Sequence, residues 1–266
     1  MTDDLTTQAA SPTNRPRSVL AMRLLVGVAA AALAVGAASA VHLGRTPSVD
    51  ASTMHAVAPT LAPAPPGGEP DRLGASTPTS RIDDGWAAEV AAATGIPERA
   101  LRAYASADLA VAAEQPGCEI GWNTIAAIGA IESGHGTHAG AVLDADGYPR
   151  PAIRGPSLDG REFAAIADTD SGVWDGDHEW DRAVGPMQFI PDTWQTWGAD
   201  GNTDGAADPN QIDDAALATA RYLCHSGPMS TAEEWRAAVY SYNHVEAYVN
   251  EVAGMANAYA SQQAGE

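Results

Sequence analysis

The most constraining feature of this chain is that no aromatic residue precedes Trp86. All seven Trp, all seven Tyr and both Phe residues lie at or after that position. Aromatic side chains supply much of the bulk of a protein core, so a stretch without them cannot easily build a well-packed one. The folded unit therefore starts near Trp86. We predict a single domain over residues 82–266, which is long enough for one hydrophobic core.

Charge divides the chain at the same boundary. The formal net charge is −20, every basic side chain is Arg, and residues 82–266 hold 29 acidic against 8 basic residues. An acidic domain of this kind repels phosphate backbones, so we expect no nucleic-acid partner. The excess of acid otherwise favours solubility and identifies no ligand.

The N-terminus resembles an export signal. Residues 1–18 are predicted to be a cytoplasmic N-terminus, and residues 19–43 a signal peptide or a signal anchor. Three arginines precede an uncharged, Ala-rich run from Leu24 to Val41, and an Ala-Ser-Ala site for cleavage lies at 38–40. The run is at the lower limit for a membrane span and long for a signal peptide, so cleavage and retention both stay open. Either way, the domain is placed outside the cytoplasm.

Residues 44–81 form a Pro/Ala-rich segment whose densest part is Pro63–Gly68. Proline-rich segments are extended and semi-rigid, so we predict a disordered linker between the N-terminal segment and the domain.

The chain has two cysteines, Cys118 and Cys224. They form either one disulfide or two separate buried thiols, and export to an oxidising compartment favours the disulfide. The closed loop of about 106 residues would stabilise the domain by about 4–5 kcal/mol in the chain-entropy model.

The domain is predicted to be mainly α. Apolar periodicity, an initial Pro and terminal Gly residues predict helices over Glu98–Glu114, Trp122–Ser133, Pro191–Trp197 and Ile212–His225, a helix from a capping box at Ser230 and Glu233 to Tyr240, and an amphipathic helix through Val245–Tyr259. Between Gly134 and Gly185 the chain is rich in Gly, Asp and Pro. We expect a long irregular insertion there, with at most a short β-hairpin around Asp146-Gly147; loops of this length are usually functional.

Glu132 is the first candidate for chemistry because it ends an apolar helix. The negative end of the helix dipole and apolar neighbours both disfavour its ionisation, as a general acid near neutral pH requires. The alternative is a solvated glutamate at a helix end.

Two further segments accompany Glu132-Ser133: Gly185-x-Met187-Gln188-Phe189 and Tyr242-Asn243. Together the three resemble the signature segments of lytic murein transglycosylases, and most closely the group of membrane-bound lytic transglycosylase B in its actinobacterial form. Within the insertion, the acidic stretch from Asp168 to Ala183 resembles that form too. The resemblance covers about Cys118 to Tyr259.

The resemblance implies a lysozyme-like helical domain with a groove for the glycan strands of peptidoglycan. Enzymes of this family cleave the bond between N-acetylmuramic acid (MurNAc) and N-acetylglucosamine (GlcNAc) without water, which leaves 1,6-anhydro-MurNAc ends. Glu132 matches the residue that acts first as acid and then as base. A single carboxylate suffices where the N-acetyl group of the substrate assists.

The other matching positions are predicted to bind substrate: Ser133, Met187, Gln188, Phe189, Tyr242 and Asn243. We expect Ser133 to bond Glu132 or the N-acetyl carbonyl, Gln188 to pair with amide groups, and Asn243 to shape the groove. Tyr242 would stack on sugar or bond the acid. For Met187, Phe189 and Tyr242, core packing is the alternative.

The loop Asp200–Gly205 carries a calcium-binding pattern. Asp200, Asn202 and Asp204 stand at ligand positions 1, 3 and 5, and Asp214 is placed to close the loop because Gln211 occupies position 12. The transglycosylase B group has such a loop. We therefore predict a structural calcium, although the reaction requires no cofactor. The alternative is an acidic turn that caps the next helix.

Three other functions stay open. His135, His138 and Asp144 would suit a zinc peptidase of the wall, although a His-Glu-x-x-His helix is missing. A second carboxylate within Asp168–Asp181 would suit a muramidase-type hydrolase, and an inactive groove would suit a peptidoglycan-binding protein. In each case we expect a monomer in the cell-wall space, attached to the membrane only if the N-terminal segment is retained.

Overall fold

The computed structural model describes residues 59–66 and 78–265. The predicted cytoplasmic N-terminus (1–18), the predicted signal segment (19–43) and most of the predicted linker lie outside the described residues. Within the described ranges, no helix is both long and apolar enough to cross a membrane.

The described part of the chain is mainly α, as predicted. Its helices are α1 Asp84–Thr94, α2 Glu98–Glu114, α3 Trp122–Ser133, α4 Pro191–Trp197, α5 Ile212–Cys224, α6 Ala232–Tyr242 and α7 Glu246–Ala264. Four short strands form two antiparallel pairs, β1 Val142–Leu143 with β2 Pro149–Arg150, and β3 Arg154–Ser157 with β4 Arg182–Val184. The first pair confirms the hairpin around Gly147, and both pairs lie within the predicted insertion.

The bounds of α2, α3 and α4 are those predicted, whereas α5 ends one residue early, α6 two residues late and α7 five residues late. α3 ends where Gly134 adopts a left-handed conformation (φ 57°), as predicted. The capping box of α6 is formed by Thr231 and Glu234, one residue later than the predicted pair, because neighbouring hydroxyl and carboxyl residues offer two registers. Helix α1 was not predicted; the side chain of Asp83 caps it by accepting the Trp86 N–H.

The core forms where α2 packs across α5 and α3 packs against α7. α3 is its centre, because every residue from Trp122 to Gly129 is buried. Complete burial of a large apolar side chain such as Ile125 or Ile128 contributes about 1.5–3 kcal/mol. The position of α3 brings its last turn, with Glu132, to the edge of the core.

Cys118 and Cys224 form a disulfide, with a Cα–Cα distance of 5.5 Å. The bond joins the chain just before α3 to the last residue of α5. The predicted pairing is thus confirmed, and it ties the central helix to its neighbour.

Residues 59–66, here called the strap, lie against the domain although they fall within the predicted disordered linker. The buried side chain of Asn123 accepts the Ala62 N–H (3.3 Å) and donates to the Thr60 carbonyl (2.9 Å). Ala62 is itself buried in the core cluster. The prediction of disorder is therefore wrong for these eight residues, because a buried amide supplies the backbone partners that an isolated Pro-rich segment lacks.

Removal of the strap should destabilise the domain. A chain that starts at residue 67 loses both hydrogen bonds to Asn123, and the buried amide is left without them. We expect a loss of about 2 kcal/mol, which lowers the melting temperature by roughly 4–8 °C. A chain that starts at residue 59 is the matched control in calorimetry. Equal melting temperatures of the two would show that the strap adds nothing to stability.

Candidate active site

A cleft of about 300 Å³ opens at the C-terminal end of α3. Its walls come from β3, from Gln188–Ile190 and from Ser241–Asn243 at the end of α6. Glu132 lies in this lining and is its one carboxylate among the described residues. The cleft thus brings together parts of all three sequence segments singled out above.

The carboxyl group of Glu132 is enclosed by protein, although the residue keeps part of its surface open to the cleft. Desolvation raises its pKa to about 7, and a hydrogen bond from Tyr248 partly opposes that rise. Near neutral pH the group is therefore divided between its acid and base forms. A carboxyl group in this state can donate a proton and later accept one.

Tyr248 is a site residue that the sequence argument missed. Its hydroxyl donates to Glu132 Oε1 at 2.7 Å, from the first turn of α7. Burial and the neighbouring carboxylate hold the pKa of Tyr248 well above its usual range, so the hydroxyl keeps its proton. In the sequence, Tyr248 was only one apolar position on a helical stripe, and no local signal relates it to a residue 116 positions earlier.

Ser133 and Met187 do not line the cleft, contrary to prediction. Ser133 Oγ donates to the Pro186 carbonyl (2.6 Å) and accepts the Gly136 N–H (2.7 Å). Both residues are buried, Met187 completely. Met187 is buried because it packs in the hydrophobic core, and Ser133 is buried because its hydroxyl bonds to two backbone groups. They attach the segment 185–189 to the end of α3, and they are not available to bind substrate.

Gln188 and Phe189 do line the cleft. Gln188 is held in a left-handed conformation (φ 51°), and its Nε2 donates to the Gly185 carbonyl (2.8 Å). Gly185 also has positive φ, and the Pro209 carbonyl occupies the place that a Cβ would take. Only glycine fits at position 185, and this tight turn presents the Gln188 side chain to the cleft.

Tyr242 and Asn243 line the cleft from the end of α6. The Tyr242 hydroxyl donates to the Met187 carbonyl (2.7 Å), and its ring meets Phe189 edge to face with centroids 6.0 Å apart. The alternative in which Tyr242 bonds the acid is therefore wrong, and Tyr248 has that position. The Tyr242 ring remains part of the cleft wall.

The zinc arrangement does not form. His135 is buried between the hydroxyls of Tyr104 (3.2 Å from Nδ1) and Tyr259 (3.0 Å from Nε2). Burial lowers the pKa of His135 to about 4, so it is a neutral link between two tyrosines. His138 lies in the cleft wall, and Asp144 pairs with Arg150 in the hairpin. The three side chains form no metal-binding group among the described residues.

The loop of the predicted calcium site is closed by its own backbone. Asp200 accepts the Asp204 and Gly205 N–H groups, while the Asn202 amide donates to Asp204 (2.9 Å). Asp214 accepts the N–H groups of Gly201, Asn202 and Asp208 through both oxygens. Asp200 and Asp214 thus use their oxygens to accept backbone N–H groups of the loop. Calcium stays a prediction, and no step of the chemistry is assigned to it.

Asp168, Asp170 and Asp181 are the described acidic side chains that do come together, with oxygens within 4.8 Å of one another. Asp181 is fully buried and accepts both the N–H and the hydroxyl of Thr169. None of the three lines the cleft. They shape the loop of the insertion and add no second carboxylate beside Glu132.

Comparison with known proteins gives one match. Residues 170–263 match the family model described as the transglycosylase SLT domain. No curated protein and no solved structure matches. The matched segment includes Gln188, Tyr242 and Tyr248, and Glu132 precedes it. The match supports the lytic transglycosylase family and peptidoglycan as substrate, and the seven helices fit the mainly α, lysozyme-like SLT domain.

The raised pKa of Glu132 makes it a source of instability at neutral pH. Between its unfolded value near 4.3 and its folded value of about 7, the folded state binds the proton more tightly, so stability falls as pH rises. Glu132→Gln should therefore raise the free energy of unfolding by about 2–3 kcal/mol near pH 8 and leave it nearly unchanged near pH 4. Denaturant unfolding at both pH values measures this, and a gain equal at both would contradict the raised pKa.

The Tyr248 hydrogen bond favours the ionised form of Glu132, so its removal should raise the pKa of Glu132 further. Tyr248→Phe keeps the ring and deletes the donor. We expect the pH-linked fall in stability to extend to higher pH than in the parent protein. The partly exposed Tyr240 provides the control variant Tyr240→Phe. If the pH dependence of stability is unchanged in Tyr248→Phe, the hydroxyl of Tyr248 does not influence the pKa of Glu132.

Proposed function

We propose that this protein is a peptidoglycan lytic transglycosylase that cleaves the MurNAc–GlcNAc bond without water, with Glu132 as acid and then base. The observation that carries the proposal is a single desolvated carboxyl group in a cleft whose walls include parts of the matched segment. Its pKa of about 7 suits both proton transfers.

In the first step, protonated Glu132 donates its proton to the glycosidic oxygen. The bond from that oxygen to the MurNAc C1 breaks, and the GlcNAc side leaves with a free 4-hydroxyl. The carbonyl oxygen of the MurNAc N-acetyl group bonds to C1 and compensates the positive charge that develops there.

In the second step, the 6-hydroxyl of the same MurNAc attacks C1 and gives its proton to the Glu132 carboxylate. The bond from the N-acetyl oxygen to C1 breaks, which restores the amide and closes the 1,6-anhydro ring. The acid is regenerated and no water is consumed. One positioned acid–base group contributes roughly 10²–10⁴-fold to the rate; binding and orientation must supply the rest.

Four cleft residues contribute to binding in this proposal. Tyr242 offers ring surface to sugar and Gln188 offers polar groups to the amides of the substrate, while Phe189 and Asn243, which expose little surface, shape the cleft wall. Tyr248 orients the acid without touching the sugar.

The position of the acidic cluster favours the lytic route over hydrolysis. An inverting hydrolase needs a second carboxylate to activate water, and a retaining one needs a carboxylate nucleophile unless its substrate assists. The oxygens of Asp168, Asp170 and Asp181 lie together in the insertion, and none of these residues lines the cleft. One acid in the cleft therefore disfavours an inverting hydrolase and a carboxylate nucleophile. With the N-acetyl group assisting, the 6-hydroxyl and water compete for C1, and we assign the attack to the 6-hydroxyl.

We further infer that the protein acts as a monomer in the cell-wall space and belongs to the actinobacterial form of the transglycosylase B group. Support comes from the disulfide, which suits an oxidising compartment, and from the acidic insertion. The Ala-rich run at Leu24–Val41 would direct export, either as a cleaved signal or as an anchor.

Product analysis tests the function. The purified protein should release muropeptides with anhydro-MurNAc ends from peptidoglycan, as read by mass spectrometry. Glu132→Gln should lower the rate at least about 10²-fold while the fold is retained. The exposed Glu162 provides the control variant Glu162→Gln, which should cleave normally. Reducing ends would indicate a hydrolase, cut stem peptides a peptidase, and undiminished cleavage by Glu132→Gln would exclude the assignment.

A further inference from the structure

Arg154 differs from the other arginines of this acidic domain. Residues 82–265 contain eight arginines, and seven of them lie within salt-bridge distance of a carboxylate: Arg99, Arg102, Arg150, Arg161, Arg182, Arg221 and Arg236. In this range, which the structure describes without a gap, Arg154 alone forms no ion pair; Arg81, just before the range, forms none either, but it is exposed to solvent. An arginine without a carboxylate is unexpected where acidic residues outnumber basic ones more than threefold.

Arg154 begins β3 and lines the same cleft as Glu132. Its Nη1 donates to two neutral acceptors, the Ile153 carbonyl (2.8 Å) and Asn210 Oδ1 (2.6 Å). The N–H groups on Nε and Nη2 have no acceptor within the described part of the chain. One edge of the guanidinium group is thus fixed by the protein, and donors remain for a ligand in the cleft.

The nearest acidic residues do not neutralise Arg154. Asp175 and Asp208 act on it electrostatically, but neither forms an ion pair with it. Asp175 instead accepts the Arg182 N–H (2.7 Å), and Asp208 accepts the Asn210 N–H (2.9 Å). Partial burial disfavours the charge of Arg154 and lowers its pKa, yet a guanidinium remains protonated in proteins. The domain therefore keeps a partly desolvated cation in its cleft without a counter-ion.

We propose that Arg154 is a specificity residue that binds a carboxylate of the glycan strand in the cleft. The planar guanidinium fork matches a carboxylate and gives charge-assisted hydrogen bonds. This inference rests on the proposed function, because it takes peptidoglycan as the occupant. The carboxylate has two sources: the lactyl group of muramic acid in strands without peptide, or an acidic residue of the stem peptide. Strands of GlcNAc alone carry neither.

Binding to the full-length protein tests the proposal, with Glu132→Gln in every chain so that the ligand stays intact. Four ligands are titrated calorimetrically: neutral GlcNAc oligomers, peptide-free glycan strands, the same strands with their lactyl carboxylates converted to amides, and peptide-bearing strands. Arg154→Gln should weaken binding of the acidic ligand by about tenfold, as expected for the loss of a charge-assisted contact. Binding of the GlcNAc oligomers should be unchanged.

Two further variants separate charge recognition from damage to the fold. Arg154→Lys keeps the positive charge and should retain part of the preference for acidic strands. Arg161→Gln removes a charge from an exposed residue that is not part of the cleft lining, and should bind all four ligands as the parent does. If Arg154→Gln weakens neutral and acidic ligands equally, or weakens none, the proposal is wrong.

The ligands identify the source of the carboxylate. A tenfold loss on peptide-free strands that vanishes after amidation assigns the lactyl group, whereas a loss confined to peptide-bearing strands assigns the stem peptide. Product analysis of the parent protein is independent of these results. Anhydro ends together with charge-blind binding would overturn the role of Arg154 alone. Charge-selective binding without cleavage would overturn the lyase alone and leave the role of Arg154 standing.

Discussion

Glu132 lies in the last turn of α3, whose first eight residues are buried, and the arrangement of the domain follows from this placement. Because α3 is largely apolar and its few buried polar side chains find partners, it lies at the centre, between α2 and α7. Its last turn then carries a carboxyl group to the cleft, where protein encloses it. Desolvation sets the pKa near 7, and the Tyr248 hydroxyl of α7 limits the rise. The same packing that stabilises the fold thus prepares the acid.

The residues of the signature segments divide into two groups by what they touch. Gln188, Phe189, Tyr242 and Asn243 line the cleft, although Phe189 and Asn243 expose little surface, whereas Ser133 and Met187 are buried and not part of the lining. Ser133 holds the Pro186 carbonyl, and the Met187 carbonyl holds the Tyr242 hydroxyl. These two bonds join α3, the turn at Gly185 and α6. A substitution at Ser133 or Met187 would therefore affect the reaction indirectly, because it would shift the backbone that positions the cleft residues.

The sequence was informative wherever the cause was local. The bounds of α2, α3 and α4 follow from Pro97, Gly134, Pro191 and apolar spacing, and the acid follows from the position of Glu132 at a helix end. It was uninformative where the partner is distant. Tyr248 meets Glu132 across 116 residues, and the strap meets Asn123 across about 60. The composition of the strap predicts disorder because it contains no information about Asn123, the distant residue whose side-chain amide bonds to the strap backbone. The prediction for Ser133 is wrong because its hydroxyl can bond either to the acid and substrate or to backbone groups. The sequence does not distinguish these partners, and in the fold the hydroxyl bonds to the backbone.

The net negative charge of the domain can be compared with the charges that line the cleft. An acidic domain should repel an acidic polymer, and the surplus of carboxylates from residue 82 onward makes that repulsion general. Within the cleft the balance is reversed, because its one carboxyl group is partly neutral at pH 7 and Arg154 carries a charge that no neighbouring carboxylate pairs with. If peptidoglycan is the substrate, the cleft is the part of this surface where an acidic strand is repelled least. In the proposed mechanism Glu132 must be protonated for the first proton transfer, and that protonation also removes the one negative charge of the cleft lining, so binding of an acidic strand and catalysis would favour the same protonation state.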